Sequence, residues 1–481
     1  MIYIAVLTGL LVGLIFYCSN KAERPHAAQL PGPPGPGLGV TEAAANVRRD
    51  TFRILAIFLG RLAESHIRRR LAVQTAAVLL AYTGGALVYG FLSRDTAFWA
   101  GYWAALPGLV AVDLLLTWIC CLASASRRLL WLALGLGLVG SFMQLSNGAA
   151  AKALVFYHLA ALVGAGLFLL FTSWMKQISA KAMVAVTLVI TTGLYVYTAL
   201  FGFAPEGTRT KVWVHLGGVS LQISEITKLL AILAAALLLA NDLLSERKKL
   251  LGMAAVFALN ALCLVMLHEL STVIVLAISY GLAALLSLRD IKLLAKAGAA
   301  AFGLAALLYW LGSMKVSGFL TDAYEKLHIR LGGVTQVEPN SQLGKALQEF
   351  HLVRWLGSCG FQSAVPVGGS DFVIIRMVME LGMASLVAAV IAYLALLCYS
   401  LKMPSPIWGI AIAAQSLLAI ASAAGFIATV GLGPVLLGEG GSTYLAAWCM
   451  LAALLADSTQ IILTPRRKTA GRRKGVMNHG E

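Results

Sequence analysis

Long apolar runs alternate with short polar links along most of the chain. Each run is close to the roughly 20 residues that a helix needs to cross a bilayer, and lipid offers no partner to an exposed backbone. The pattern therefore predicts an all-α fold, a polytopic helical membrane protein with about 13 transmembrane helices. The predicted spans are 2–18, 71–93, 98–122, 128–147, 152–175, 181–203, 221–241, 250–267, 270–287, 291–312, 372–400, 406–430 and 442–463.

The composition agrees with this class of protein. Hydrophobic residues make up 59% of the 481 positions and charged residues only 12%, whereas soluble domains carry about 25% charged residues. The net charge is +16, but the basic residues lie in short loops between apolar runs, so we expect contact with membrane lipids and no nucleic-acid partner. The seven cysteines lie mostly inside apolar runs, which predicts buried free thiols.

The distribution of Lys and Arg over the loops predicts the orientation. One set of alternate links is rich in basic residues, including those at 247–249 and the tail PRRKTAGRRK. The positive-inside rule places this set in the cytoplasm. The N-terminus is then outside and the C-terminus is cytoplasmic, and an odd number of spans agrees with termini on opposite sides.

Two segments on the predicted outer face, 201–230 and 313–370, are too long and too polar to be simple turns. Long loops in compact proteins are usually functional or disordered, and we expect the second segment to fold over the bundle. In the first, the sequence SEITKLL places Glu225 and Lys228 three residues apart, on one face of a helix. An ion pair that faces the bundle interior is the least costly arrangement for both groups.

Further carboxylates lie at the predicted outer ends of helices. Glu269 falls in the turn LHELSTV, and Asp371 precedes the apolar run of the eleventh span. With Glu225, they are candidates for general-base catalysis or cation binding if they face one cavity. A glutamate at a helix end is more often a solvated or capping group, and that alternative stays open for each of them.

Four other polar groups lie within predicted spans. Arg376 and Glu380 are four residues apart on one helical face, so mutual pairing explains why both are tolerated at membrane depth. Asp113 and His158 lie in mid-span, and we interpret them as structural polar contacts.

At these positions the chain resembles the SEDS family, the FtsW/RodA/SpoVE group of peptidoglycan polymerases. Four stretches are similar to the family's motifs and follow the family's order: KVWVHLGGVSLQISEITKLL, HELSTV, GSDFVIIRMVMELG and GEGGSTYLA. The chain departs from the motifs at Ile223 for a proline, Gly369 for a histidine and Met379 for a glutamate, and Arg376 is new. Six predicted spans, rather than three, precede the first motif.

The predicted spans, the composition of the links and the resemblance together divide the chain into five parts. These are a first transmembrane span at 1–20, a cytoplasmic Pro/Gly-rich linker with a basic amphipathic segment at 21–70, N-terminal transmembrane helices at 71–203, a SEDS-like core at 204–464 that includes the large extracytoplasmic loop 313–370, and a basic cytoplasmic tail at 465–481.

The resemblance also implies an activity. This is glycosyl transfer between lipid II molecules at the outer face of the bacterial cytoplasmic membrane, for cell division, elongation or sporulation, with undecaprenyl pyrophosphate as the leaving group. Asp371 is the implied catalytic residue. A role in binding substrate or pyrophosphate is expected for Lys228, Glu225, Arg330, Lys345, Arg354 and Glu269. A structural role in the motifs is expected for Trp213, Gln222, Ser224, Glu380, Gly440, Gly441 and Ser442.

The implied partner is a class B penicillin-binding protein, which is a transpeptidase. A divalent cation, Mg or Mn, is an alternative source of the positive charge that pyrophosphate needs. Two other functions stay open at this point. One is a flippase or transporter of a lipid-linked precursor, which buried charges would also suit. The other is a non-catalytic scaffold of a division or sporulation complex.

Overall fold

The computed structural model describes residues 65–94, 96–122, 125–204, 210–216, 219–331, 342–350, 352–359, 372–427, 431–438 and 440–463. They form fifteen helices and one two-stranded hairpin. In chain order these are α1 (Ser65–Ser93), α2 (Thr96–Leu122), α3 (Arg127–Ser146), α4 (Ala151–Met175), α5 (Ala180–Phe201), β1 (Trp213–Leu216), β2 (Val219–Gln222), α6 (Ile223–Leu239), α7 (Glu246–Met266), α8 (Leu270–Ser287), α9 (Ile291–Ser313), α10 (Gly318–Leu331), α11 (Gln342–Phe350), α12 (Val373–Leu381), α13 (Met383–Ser400), α14 (Ile407–Ala423) and α15 (Gly441–Leu463).

The described residues confirm the predicted class of an all-helical, multi-pass membrane protein. Nine of their helices are long and apolar enough to cross a membrane, namely α1 to α5, α7, α8, α9 and α13. The predicted first span at 2–18, the linker up to residue 64 and the tail at 465–481 lie outside the described residues.

The predicted span 372–400 is two helices rather than one. α12 ends at Leu381 and α13 begins at Met383, because Gly382 between them adopts a positive φ of 93°. A Cβ at this position would lie 2.6 Å from the carbonyl oxygen of Trp355. The chain therefore turns at Gly382 to let the backbone of the preceding loop pass close by. The predicted span 406–430 is also too long, since α14 ends at Ala423.

α6 is the central helix of the bundle. It packs against α5, α7, α8, α14 and α15. Its middle is built from small residues, and Ala231, Ala234 and Ala235 are each fully buried. Small side chains let neighbouring backbones approach closely, which is how helices associate in lipid. Tyr280 of α8 uses this proximity, since its hydroxyl donates to the carbonyl of Ala231 at 2.6 Å.

The β1–β2 hairpin leads directly into α6. The strands are antiparallel, and Trp213 pairs with Gln222. The N–H of Ile223, the first residue of α6, donates to the carbonyl of Val212 at 2.8 Å. The start of α6 is therefore fixed by the hairpin, and with it the position of the polar side chains in the first turns of the helix.

The segment 313–370 contains two described helices that pack on the bundle. α10 contacts α9 and α7, while α11 contacts α12 and α14. The described parts of this segment thus agree with the prediction that it folds over the bundle. In α9, which precedes it, Gly312 is the buried residue, and it lies against the backbone of Leu320 in α10.

Candidate functional site

A buried ion pair lies in the first turns of α6. Lys228 Nζ donates to Glu225 Oε2 at 2.6 Å and to Gln415 Oε1 of α14 at 2.6 Å. The side chains of Lys228 and Glu225 are each 1% exposed. A charge in the membrane interior is tolerated when it is paired and hydrogen-bonded. The predicted pairing of these two residues is confirmed, and it joins α6 to α14 across the core.

Two polar atoms beside this pair have no hydrogen-bond partner among the described residues. They are Ser224 Oγ and Glu225 Oε1, and both are buried. Both ends of the Gln415 amide are engaged, because its Oε1 accepts from Lys228 and its Nε2 donates to the carbonyl of Gly433 at 3.1 Å. The first turn of α6 therefore keeps hydrogen-bonding capacity next to a neutralised charge.

The first and last motifs meet at the start of α6. The N–H of Gln222 donates to Ser442 Oγ of α15 at 2.9 Å, although the two residues are 220 positions apart. Ser442 is 3% exposed. Next to it, a Cβ on Gly441 would lie 3.1 Å from the ring of Tyr157. Gly441 and Ser442 thus pack the start of α15 against α4 and β2. This agrees with the structural role expected of them.

Glu269 acts as the N-cap of α8. Its Oε1 accepts from the N–H and from the hydroxyl of Thr272, both at 3.3 Å, and the residue is 7% exposed. An N-cap carboxylate satisfies a backbone donor that the helix leaves unpaired. The sequence left open that Glu269 is a capping group, and the structure shows that it is one. Any role of Glu269 in binding a substrate would be in addition to this capping role.

The residue before the cap connects the bundle to α10. His268 has a positive φ of 63°, and its Nδ1 lies 2.8 Å from Asp322 Oδ2. Lys326 Nζ lies 3.0 Å from the same oxygen and donates to the carbonyl of His268 at 2.7 Å. Burial raises the pKa of Asp322, but the hydrogen bonds from His268 and Lys326 outweigh burial and hold that pKa below its ordinary value.

Both oxygens of the Glu380 carboxylate are engaged. Arg376 Nε donates to Oε1 at 2.6 Å, which confirms the predicted pair within α12. The hydroxyl of Tyr89 in α1 donates to Oε2. The side chains of Arg376 and Glu380 are 16% and 15% exposed. The motif glutamate therefore ties α12 to a helix that precedes the motifs in the chain.

The structure does not bring all predicted site residues together. Asp371 and the side chain of Arg330 lie outside the described residues. Lys345 is half-buried on α11, and Arg354 is exposed, with its carbonyl accepting from Met383 at 2.9 Å. The part of the chain that is described holds no group of three His, Cys, Asp or Glu residues that could bind a metal ion.

Asp113 and His158 are engaged as structural polar contacts, as interpreted from the sequence. Asp113 Oδ2 accepts from the hydroxyl of Tyr82 at 2.7 Å. His158 Nε2 lies 3.1 Å from Ser141 Oγ, and its Nδ1 lies 2.9 Å from the carbonyl of Leu154.

Sequence reasoning missed two residues of the site. Gln415 is a polar residue inside the apolar run of α14, and that position alone marks it as a candidate. Tyr89 carries no comparable mark, since tyrosines are common at the ends of membrane helices.

No protein-family model matches the chain, and no curated protein matches it. Among solved structures it is similar to a chain of a peptidoglycan synthase complex that coordinates polymerization and crosslinking, with a TM-score of 0.51 and 18% identity over 70% of this chain and 98% of that chain. The chain has a SEDS-type fold. It is also similar to the rod shape determining protein RodA of Thermus thermophilus and to a mutant of it, with TM-scores of 0.41 and 0.42 and 18% identity over 70% of this chain and 97% of theirs.

The likeness to the synthase chain confirms the fold predicted from the motifs. The likeness also reaches beyond the predicted core at 204–464. It covers 70% of the chain, which is a larger share than residues 204–481 make up. The SEDS-type fold therefore includes helices that precede β1.

Proposed function

We propose that the protein is a membrane peptidoglycan glycosyltransferase that polymerises lipid II into glycan strands at the outer face of the cytoplasmic membrane. The observation that carries the proposal is the meeting of separate motifs at the start of α6. There the N–H of Gln222 is hydrogen-bonded to Ser442, and Lys228 is hydrogen-bonded to Glu225 and Gln415. This arrangement occurs in a fold shared with a chain of a peptidoglycan synthase complex.

The proposed reaction joins two lipid II molecules. A sugar hydroxyl of the acceptor attacks the anomeric carbon of the donor, a new C–O bond forms, and the bond to the pyrophosphate oxygen breaks. Undecaprenyl pyrophosphate leaves with the electron pair of that bond. The proton of the attacking hydroxyl passes to the carboxylate of Asp371, which acts as general base.

The leaving pyrophosphate needs positive charge. Within the fold, Lys228 is neutralised by Glu225 and is fully buried. In the proposal, Lys228 and Glu225 therefore hold α6 to α14, while Arg354, Lys345 and Arg330 contact the pyrophosphate. Exposure of Arg354 and partial exposure of Lys345 support this division. A Mg or Mn ion would supply charge of the same sign.

The proposed partner is a class B penicillin-binding protein, whose transpeptidase activity would crosslink the new strands. The proposed orientation has the N-terminus outside and the C-terminus in the cytoplasm. Both proposals rest on the motif resemblance. The proposed orientation also rests on the distribution of Lys and Arg over the loops.

The test is polymerisation of fluorescent lipid II by the purified full-length chain in liposomes. We expect polymer from the wild type and none from Asp371→Asn. The matched control is Asp290→Asn, because Asp290 caps α9 through Leu293 at 2.9 Å and asparagine caps equally well. Polymer from Asp371→Asn at the wild-type rate would overturn the assignment of the base.

Two other results would favour the alternative functions. Movement of lipid II between leaflets without polymer supports a flippase. Absence of both activities, with a transpeptidase partner still co-purifying, supports a scaffold.

A further inference from the structure

The end of α1 contacts α12 through a side chain. Tyr89 lies one turn before the end of α1, and its hydroxyl donates to Glu380 Oε2. The other carboxylate oxygen is held by Arg376 of α12 itself. Tyr89 is 3% exposed. The only link from this carboxylate to α1 that the described residues provide is thus a single buried hydroxyl.

A second contact joins α1 to α12 through the loop segment 352–359. The N–H of Ser358 donates to the carbonyl of Leu92 in α1 at 2.8 Å. On the other side of the segment, the N–H of Gly357 donates to Leu381 at 3.0 Å and the N–H of Cys359 donates to Met379 at 3.0 Å. The last turn of α12 is therefore attached to α1 both directly and through this segment.

Tyr89 is itself fixed by aromatic neighbours from two further helices. Its ring centroid lies 4.7 Å from that of Phe98 in α2 and 5.5 Å from that of Phe142 in α3. Phe98 is fully buried and Phe142 is 2% exposed. A ring packed in this way has little rotational freedom, so its hydroxyl presents a donor at a defined place.

We propose that Tyr89 is a positioning residue for glycosyl transfer, acting through Glu380 to set the position of α12. This inference rests on the proposed function. The sequence places Asp371 two residues before the start of α12, so in this proposal a displacement of α12 also displaces the proposed base. Misplacement of a reacting group lowers the rate more than it lowers substrate binding.

The experiment compares Tyr89→Phe with Tyr102→Phe in the lipid II assay. Tyr102 belongs to the same aromatic group, with its ring 5.5 Å from Phe98, but its hydroxyl donates at 3.1 Å to the carbonyl of Tyr82 rather than to α12. We expect Tyr89→Phe to lower kcat about tenfold with KM for lipid II unchanged. Tyr102→Phe should retain the wild-type kcat.

A double-mutant cycle with Glu380→Leu distinguishes positioning from general support of the fold, because leucine cannot accept from the Tyr89 hydroxyl. If Tyr89 acts through Glu380, adding Tyr89→Phe to Glu380→Leu lowers kcat no further. Wild-type kcat in Tyr89→Phe, a raised KM with unchanged kcat, or independent losses in the double variant would each overturn the inference. If Tyr89→Phe is not recovered folded, Glu380→Leu alone decides: a loss of kcat is expected, and wild-type kcat overturns the inference.

Failure of this inference is distinguishable from failure of the proposed function. If the wild type polymerises lipid II, Asp371→Asn does not, and Tyr89→Phe equals the wild type, only the role of Tyr89 is wrong. If Asp371→Asn polymerises as the wild type does, the proposed base is wrong whatever Tyr89→Phe shows.

Discussion

At the scale of single residues, Glu225 and Lys228 form a buried ion pair within the site. Both side chains are 1% exposed, and the amide oxygen of Gln415 accepts a second hydrogen bond from the ammonium group. A buried pair of this kind contributes little net stability compared with apolar residues of similar volume. Removal of one partner is costly, because it leaves the other charge buried and unpaired.

We therefore expect Lys228→Met to destabilise the protein by about 3–5 kcal/mol. The double variant Glu225→Gln with Lys228→Met should recover most of this loss, since it leaves no unpaired charge. The measurement is thermal unfolding in detergent. Lys248→Met is the control, because Lys248 is exposed in the first turn of α7. If Lys228→Met were as stable as the double variant, an unpaired Glu225 would carry no cost, and the prediction would be contradicted.

The sequence was sufficient to predict this pair but not its third member. Glu225 and Lys228 are three residues apart on one helix, and a local spacing is visible without a fold. Gln415 lies 187 positions after Lys228, so its proximity is set by the packing of α14 on α6. The same distinction holds for Glu380, whose pairing with Arg376 is local and whose bond to Tyr89 spans 291 positions.

At the scale of the elements, the break between α12 and α13 gives the site its local geometry. The apolar run from 372 to 400 is long enough for one span, and run length alone predicted one helix. The structure breaks it at Gly382, because the loop segment 352–359 crosses there. The N–H groups of Met383 and Ala384 donate to carbonyls of that segment, at 2.9 Å and 3.1 Å.

Gly382→Ala should destabilise the protein by about 1–3 kcal/mol, since a non-glycine residue is strained at this φ. The added Cβ would also meet the carbonyl of Trp355. The control is Gly281→Ala within α8, where a Cβ meets nothing within 4 Å; this change is expected to be neutral or slightly stabilising. Melting temperatures of both variants in detergent test the prediction, and equal values would contradict it.

The attachment of α10 to the bundle is pH-dependent in a predictable direction. The pKa of Asp322 is held below its ordinary value by His268 and Lys326. A carboxylate with a lowered pKa adds stability above its ordinary pKa of about 3.9, and that contribution is lost as pH falls through the lowered value.

At pH 7, Asp322→Asn should therefore reduce the protection of α10 amides from hydrogen exchange. As pH falls through the lowered pKa, wild type and variant should converge, once rates are corrected for intrinsic exchange. Glu325→Gln, an exposed neighbour on the same helix, should show no such change at pH 7. Equal protection of α10 in wild type and Asp322→Asn at pH 7 would be inconsistent with this attachment.

At the scale of the whole molecule, the sequence predicted the class and most of the spans, because lipid imposes length and apolarity on every crossing helix. Each predicted span from 71 onward coincides with described helix, apart from the division at Gly382 and the shorter α14. The arrangement of these helices was not available from the same pattern. Packing of α6 against five other helices depends on contacts between residues far apart in the chain.

The orientation of the bundle is tested most directly at the two ends of α9. Arg289, Lys292 and Lys296 lie at its start, and Lys315 follows its end. The basic start is predicted to be cytoplasmic. In intact cells, with the seven native cysteines replaced, a membrane-impermeant maleimide should label Lys315→Cys and should label Lys292→Cys only after permeabilisation. Both positions are exposed, so a difference in labelling reports the side of the membrane rather than burial.

The reverse pattern would invert the whole topology and place the 313–370 segment, with the proposed pyrophosphate contacts, on the cytoplasmic face. That outcome would contradict polymerisation at the outer face of the membrane.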